Sequence, residues 1–347
     1  MKTFSSRLIR WQKEFGRHDL PWQGESAYRV WLSEIMLQQT QVTTVIPYYL
    51  RFIQSFPDVA TLAAATEEQV LAHWSGLGYY ARGRNLHKAA QRIVSEYGGE
   101  FPATYEHLLE LPGIGRSTAA AISALARHEC RAILDGNVKR VLARYLGIDG
   151  WTGERKVEES LWEHAERLLP ARDIAVYTQA LMDMGATVCT RSRPRCANCP
   201  VNADCVAFSS QRVEQLPAPR PRKRVPEREA TFLLLKHGSE IMLEKRPASG
   251  IWGGLWCTPQ VEAEGEGNYL LQNGMEILQR REMAAFTHVF THFKLSIRPV
   301  LLELARKPVR LQQQGCIWLE VGEALGAAIP SPVRQLLLTL QASQRIS

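Results

Sequence analysis

The residue pattern of this chain changes character once, at "QLPAPRPRKRVPERE" (215–229), and that break constrains the fold more than any other feature. Four prolines and five Arg or Lys in fifteen residues leave nothing to build a core element from, so the stretch reads as an extended basic linker. Before it, apolar residues recur at helical spacing and no strand alternation is convincing. After it, polar and apolar residues alternate in "ATFLLLK", "IMLEKR" and "AFTHVFTHFKLSIRPVLLEL", with "HGSE" as a turn. We therefore expect an all-α domain over 1–208, a Pro-rich basic linker over 209–229 and a smaller α+β domain over 230–347.

Charge does not choose a partner unaided. The net charge of +7 is spread thinly, with 24 basic against 22 acidic residues in 1–210, 6 against 3 in 211–229 and 12 against 10 in 230–347. No domain is a block of positive charge, so nucleic-acid binding has to be argued from motifs. The start "MKTFSSRLIRWQKEF" is amphipathic without the apolar centre of a secretory leader. No apolar run approaches the ~18 residues of a membrane span. Seven cysteines in 347 residues are too few for a disulfide scaffold. The expected location is the cytoplasm, with no membrane partner.

Three local patterns carry chemistry. The first is "VWLSEIMLQQTQV" (30–42), which reads as one helix with Trp31, Ile35, Gln38 and Val42 on a face. Glu34 shares that face, one turn from Gln38, and an acid among Trp, Ile, Leu and Met is costly unless paired, neutralised or used. The second is "LLELPGIGRSTAAAISALA" (108–126). Gly113 and Gly115 permit a tight turn between two helices, and the second helix starts near Arg116, where free N–H groups attract an anion. The third is "CTRSRPRCANCPVNADC", with Cys189, Cys196, Cys199 and Cys205 spaced C-x6-C-x2-C-x5-C. Four thiolates in one loop suit a tetrahedral or cubane metal centre, and the spacing does not separate zinc from iron–sulfur. Arg191, Arg193, Arg195 and Arg212 lie within or near this loop. Further on, Asp135 in "ILDGNVKRV" stands where an N-cap belongs, ahead of a helix over 137–146.

In this order the hairpin, the "D-G-N-V-K-R" helix start and the four-cysteine loop resemble the helix-hairpin-helix, endonuclease III-like DNA glycosylases. With "LSEIMLQQTQV", "GLGYYARGRNLHKAA", "LPGIGRSTAAAI" and a C-terminal segment containing "FTHFKL", the chain is similar over nearly its whole length to MutY-type adenine glycosylases. The resemblance implies a [4Fe–4S] cluster on the four cysteines and a monomer acting at the nucleoid. Its partner would be double-stranded DNA carrying adenine opposite 8-oxoguanine or guanine. Glu34 would protonate adenine at N7, and Asp135 would stabilise the sugar cation or attack it, which its capping role does not forbid. Asn137 would position the sugar or Asp135, while Gln38 and Tyr79 would wedge beside the orphaned base.

Relatives that also cut the backbone carry lysine where this chain has Ser117, so the resemblance implies a monofunctional enzyme. The Nudix-like segment lacks the glutamate-rich helix of a pyrophosphatase. Its Phe290, Thr291 and His292 match the element that senses oxidised guanine. Two rivals are disfavoured on sequence: an endonuclease III-like pyrimidine glycosylase with lyase activity, against which Ser117 and the whole second domain argue, and a catalytically silent iron–sulfur DNA-binding protein, against which the paired Glu34 and Asp135 argue.

Overall fold

The computed structural model describes residues 3–221, 225–262, 264–308 and 315–344. The chain divides into two compact units that are not consecutive in sequence: residues 1–64 with 85–222, and residues 65–84 with 223–347. No described helix is long and apolar enough to cross a membrane.

The first unit is helical. Its core gathers Leu8, Ala120, Ala124, Val138, Val141, Leu142, Leu161 and Leu181 from five helices, Phe4–Phe15, Arg116–Arg127, Gly136–Leu146, Arg155–Arg167 and Ile174–Asp183. Along Arg116–Arg127 and Gly136–Leu146 these positions recur three or four apart and bury one stripe. One buried acid, Asp183, ends the last of these helices. It accepts from the Arg17 backbone at 2.7 Å, the Arg17 guanidinium at 2.6 and 2.9 Å, Gln12 Nε2 at 3.0 Å and Gln179 Nε2 at 2.8 Å. A buried charge held by this many donors survives desolvation.

The helix expected to run through Val42 stops early. Ala27–Leu37 is helical, Gln38 leaves at ψ 112°, Gln39 sits at φ 58°, and a new helix opens at Val42. Gln38 is thus the residue that ends the helix of Glu34 and not a position within it.

The second unit combines a mixed sheet with helices. Its strands are β1 (Glu227–His237), β2 (Glu240–Lys245), β3 (Trp256–Cys257), β4 (Gln260–Val261), β5 (Ile277–Glu282), β6 (Phe286–Val289), β7 (Lys294–Leu304) and β8 (Cys316–Glu320). The order β3-β2-β1-β7-β5 places the long parallel pair β1 and β7 at its centre, in register from Glu227 with Lys294 to Lys236 with Glu303. β1 buries Phe232 to Leu235 without a break, as a strand covered on both faces does. Against this unit lies the short helix Glu67–Trp74, opened by a capping box in which Thr66 and Gln69 satisfy each other's backbone N–H.

The basic linker differs in detail from the sequence reading. Leu216 is buried, its carbonyl takes the Arg144 Nε at 2.8 Å, and the Ala218 N–H reaches the Gly150 carbonyl at 3.2 Å. Residues 216–218 are thereby fixed to the first unit. At the other end β1 begins at Glu227, inside the expected linker. Arg222, Lys223 and Arg224 lie outside the described residues.

Candidate active site

Glu34 and Asp135 come from different helices of the first unit and meet electrostatically. Glu34 stands on Ala27–Leu37, where Trp31, Leu32, Ser33, Ile35 and Met36 are all buried. Part of its own side chain remains accessible, yet protein surrounds the carboxyl. Burial, with the Asp135 charge adding to it, pushes the Glu34 pKa from 4.5 up to about 8. At neutral pH it therefore carries its proton.

Asp135 caps the helix Gly136–Leu146, its Oδ1 accepting the Val138 N–H at 2.7 Å. Burial raises its pKa too, but the Val138 and Asn137 N–H groups and the Arg140 and Lys139 charges pull the other way. Of the two acids, Asp135 is the one with N–H donors and cations that offset part of its burial, although its pKa too is raised overall. A carboxyl with nothing to offset its burial suits the part of an acid, and one with donors and cations around it suits that of its carboxylate partner.

Asn137, Arg140 and Arg144 share one face of the Asp135 helix at i, i+3 and i+7. Arg140 donates to Asn137 Oδ1 at 2.9 Å, to the Gly185 carbonyl at 2.7 Å and to the Cys189 carbonyl at 2.8 Å. Gly185 belongs to a π-helical turn, Met184–Val188, and a Cβ there would stand 2.7 Å from Asn137 Cβ. Arg144, itself buried, reaches Cys189 Sγ at 3.4 Å and the Thr190 carbonyl at 2.7 Å. Sequence reading passed over Arg140, Arg144 and Gly185. The available signal was the spacing of two arginines with Asn137 on a helix otherwise facing the core.

Cys189, Cys196, Cys199 and Cys205 are all free thiols on the loop that follows the π-turn. Burial raises the Cys199 thiol to about 11, and the Cys189, Cys205 and Cys196 charges add to it, so the four sulfurs are neighbours. Among the described residues, no three His, Cys, Asp or Glu side chains are gathered tightly enough to ligate a single ion. Of the loop arginines, Arg212 pairs with Asp149, while the side chains of Arg191, Arg193 and Arg195 are exposed.

The hairpin puts two glycines to different uses. Gly113 sits at φ +81°, and a Cβ there would come within 2.9 Å of Asn85 Cβ, so its turn requires glycine. Gly115 caps Arg116–Arg127 at an ordinary φ of −95° and has nothing within 4 Å of where a Cβ would stand. The space in front of that helix start is open. Arg116 is engaged within the protein, paired with Glu166 at 2.6 Å and stacked over the Trp162 ring at 3.8 Å. Ser117 Oγ accepts the Leu134 N–H at 3.0 Å, tying the hairpin helix to the residue before Asp135. Lys139 pairs with Glu158 at 2.8 Å.

Tyr79 and the "FTH" element both belong to the second unit. Tyr79 is about half exposed and held at φ 49°, in a turn where Gly76 and Gly78 also adopt positive φ. Phe290, Thr291, His292 and Phe293 form the hairpin tip between β6 and β7, closed by the Phe290 N–H to the Phe293 carbonyl at 2.9 Å. Phe290 stacks on the buried Phe293 at 4.3 Å, which leaves Thr291 and His292 exposed at the tip.

Known proteins are similar to this chain over both of its parts. Residues 32–167 match the HhH-GPD superfamily of base excision DNA repair proteins, and residues 230–339 match the NUDIX domain. Adenine DNA glycosylase of Buchnera aphidicola subsp. Acyrthosiphon pisum is 38% identical, with 96% of each chain covered. The Homo sapiens adenine DNA glycosylase is 35% identical over 99% of this chain and 74% of its own. A thermostable thymine-DNA glycosylase structure, 27% identical, superposes with a TM-score of 0.54 over 60% of this chain and 95% of its own. With this fold, this pair of carboxyls and relatives matched over nearly the full length, the chain belongs to the MutY-type adenine DNA glycosylases of the helix-hairpin-helix superfamily.

Proposed function

We propose that this enzyme removes adenine opposite 8-oxoguanine or guanine in double-stranded DNA, as a monofunctional glycosylase of base excision repair. The observation that carries the reading is Glu34, held protonated by its burial beside Asp135, whose N–H donors and neighbouring cations offset part of its own burial. Adenine must leave the stack to reach them. Glu34 gives its proton to N7, the bond from C1′ to N9 breaks with its electron pair going to the base, and adenine departs neutral. Asp135 balances the positive charge left on the sugar, following the two-carboxylate logic of glycoside cleavage. Water adds at C1′ and gives up a proton. Asn137, fixed by Arg140 and packed on Gly185, holds the first turn of the Asp135 helix in place.

The open helix start behind Gly115 supports phosphate binding there. Ser117 offers a hydroxyl already engaged with Leu134 where a Schiff base would need an amine, so the abasic strand is left uncut. Gln38 and Tyr79 would plug the vacated stack, and Phe290, Thr291 and His292 would read the oxidised guanine. Cys189, Cys196, Cys199 and Cys205, four free thiols on one loop, would hold the [4Fe–4S] cluster that the resemblance implies. Such a cluster would hold the loop closed and keep the arginine-rich strand between the first two cysteines presented outward.

Single-turnover excision across A:8-oxoguanine, A:G, T:G and oxidised-pyrimidine duplexes tests the reading. Adenine release that is fastest opposite 8-oxoguanine is expected. Faster release of thymine or of an oxidised pyrimidine would replace it.

A further inference from the structure

The turn that carries Tyr79 is held from beneath by the C-terminal part of the chain. The Ile329 carbonyl, fully buried, accepts from Ser75 Oγ at 2.8 Å and from the Tyr80 hydroxyl at 3.0 Å. Arg334, on the helix Ser331–Gln344, donates to Ser75 Oγ at 2.9 Å and to the Leu325 carbonyl at 2.8 Å. Its Nε is buried without a hydrogen-bond partner. A guanidinium that leaves one donor unsatisfied is costly, and what it gains here is a fixed Ser75. A second tie runs from Arg84 to the Gly253 carbonyl at 2.7 Å. The neighbouring Trp252 ring lies 5.4 Å from Phe290 and 5.8 Å from His288, against the hairpin tip.

Above these anchors the turn is strained. Gly76, Gly78 and Tyr79 all stand at positive φ, and for a tyrosine that conformation persists only where its surroundings over-determine it. Leu77 and Tyr80 are buried on either side while Tyr79 points out, with Arg82 lying 5.5 Å from its ring. We infer that Arg334 and the Ile329 carbonyl are positioning groups for Tyr79, so that the C-terminal domain sets the pose of the residue that enters the DNA stack as well as reading the base at the hairpin tip. The inference rests on the role given to Tyr79 above.

The test is stopped-flow fluorescence of 2-aminopurine placed beside the target adenine opposite 8-oxoguanine, using the full chain. Arg334→Met should slow unstacking about tenfold, since a misplacement near 1 Å is enough for such losses. Ser75→Ala, a milder change, should slow it in the same direction if Arg334→Met does not fold. Each change introduced into Tyr79→Ala should add less than about twofold, because the residue through which it acts is gone. Equal slowing with and without Tyr79, or no slowing in folded variants, overturns the inference. If Tyr79→Ala alone leaves unstacking unchanged, it is the role of Tyr79 that fails, and this separates the two.

Discussion

Replacing Glu34 by glutamine should stabilise the fold and destroy the activity, and the first effect can be sized. The carboxyl rises from 4.5 to about 8 on folding. Below pH 4.5 both the folded and the unfolded chain hold the proton, and the group's contribution to stability is complete. Above it the unfolded chain releases the proton while the native state keeps it, so stability falls as pH rises towards 8. Each pKa unit is worth about 1.4 kcal/mol, which makes the loss roughly 3 kcal/mol at pH 7 and roughly 5 kcal/mol above pH 8. Glutamine mimics the protonated acid and does not titrate. The stability difference between Glu34→Gln and the parent should therefore be near zero at pH 4.5 and grow to about 3 kcal/mol in favour of the variant at pH 7. Urea unfolding of both proteins at matched pH cancels every other titrating group. In single-turnover excision the same variant should lose roughly 10²–10⁴-fold, the worth of a general acid, and the alkaline fall of the parent's rate should vanish. A stability difference that stays flat from pH 5 to 7.5 refutes the raised pKa. Near-normal excision by the variant refutes the acid role even if the pKa is right.

Other outcomes follow from the site. Gly115→Ala should fold as the parent does and weaken duplex binding, whereas Gly113→Ala should cost about 1–3 kcal/mol from its φ and its approach to Asn85; thermal melts and a binding titration separate them. Adenine release should leave a strand that breaks only with heat or alkali, and borohydride trapping that survives Lys139→Ala would show another amine at work. His292→Ala, exposed at the hairpin tip, should keep its melting temperature and lose preference for 8-oxoguanine over guanine, measured as the ratio of excision rates. Protein purified without oxygen should carry about four irons. Cys199→Ser should lower the iron content and loosen the loop to proteolysis; zinc in place of iron would refute the cluster.

What could be read in advance was what local chemistry decides. Asp135 caps the helix just after it, a contact three residues away that needs nothing from the rest of the fold. The overrun of the Glu34 helix through Val42 has the opposite cause. "LQQTQV" contains no glycine or proline and keeps the apolar period, yet the chain turns at Gln38 and Gln39. The partners of Arg140 and Arg144 lie some 45 residues away, around the cysteine loop. Their importance shows only once the π-turn has brought Gly185 against Asn137. The mixed membership of 65–84 was hidden for the same reason, since composition marks boundaries along the chain and not across it.

That mixed membership bears on how the protein is made. Residues 65–84 emerge from the ribosome before the 138 residues from 85 to 222, and the strands they pack with come after those. At about 5–20 residues per second, the wait lasts roughly 7–28 s. For that time, and longer until Ile329 itself is made, Ser75 and Tyr80 lack the Ile329 carbonyl, and the turn has only bonds from its own segment, such as those of Trp74 Nε1 and Arg82 to the Gly78 carbonyl at 3.2 Å, to hold its positive φ angles. Synthesis should thus yield a nascent chain in which Glu34 and Asp135 can be brought together early while the Tyr79 turn lacks its C-terminal anchors. A chain stalled near residue 222 would present the faces of Val70, Leu71 and Trp74 to chaperones and proteases.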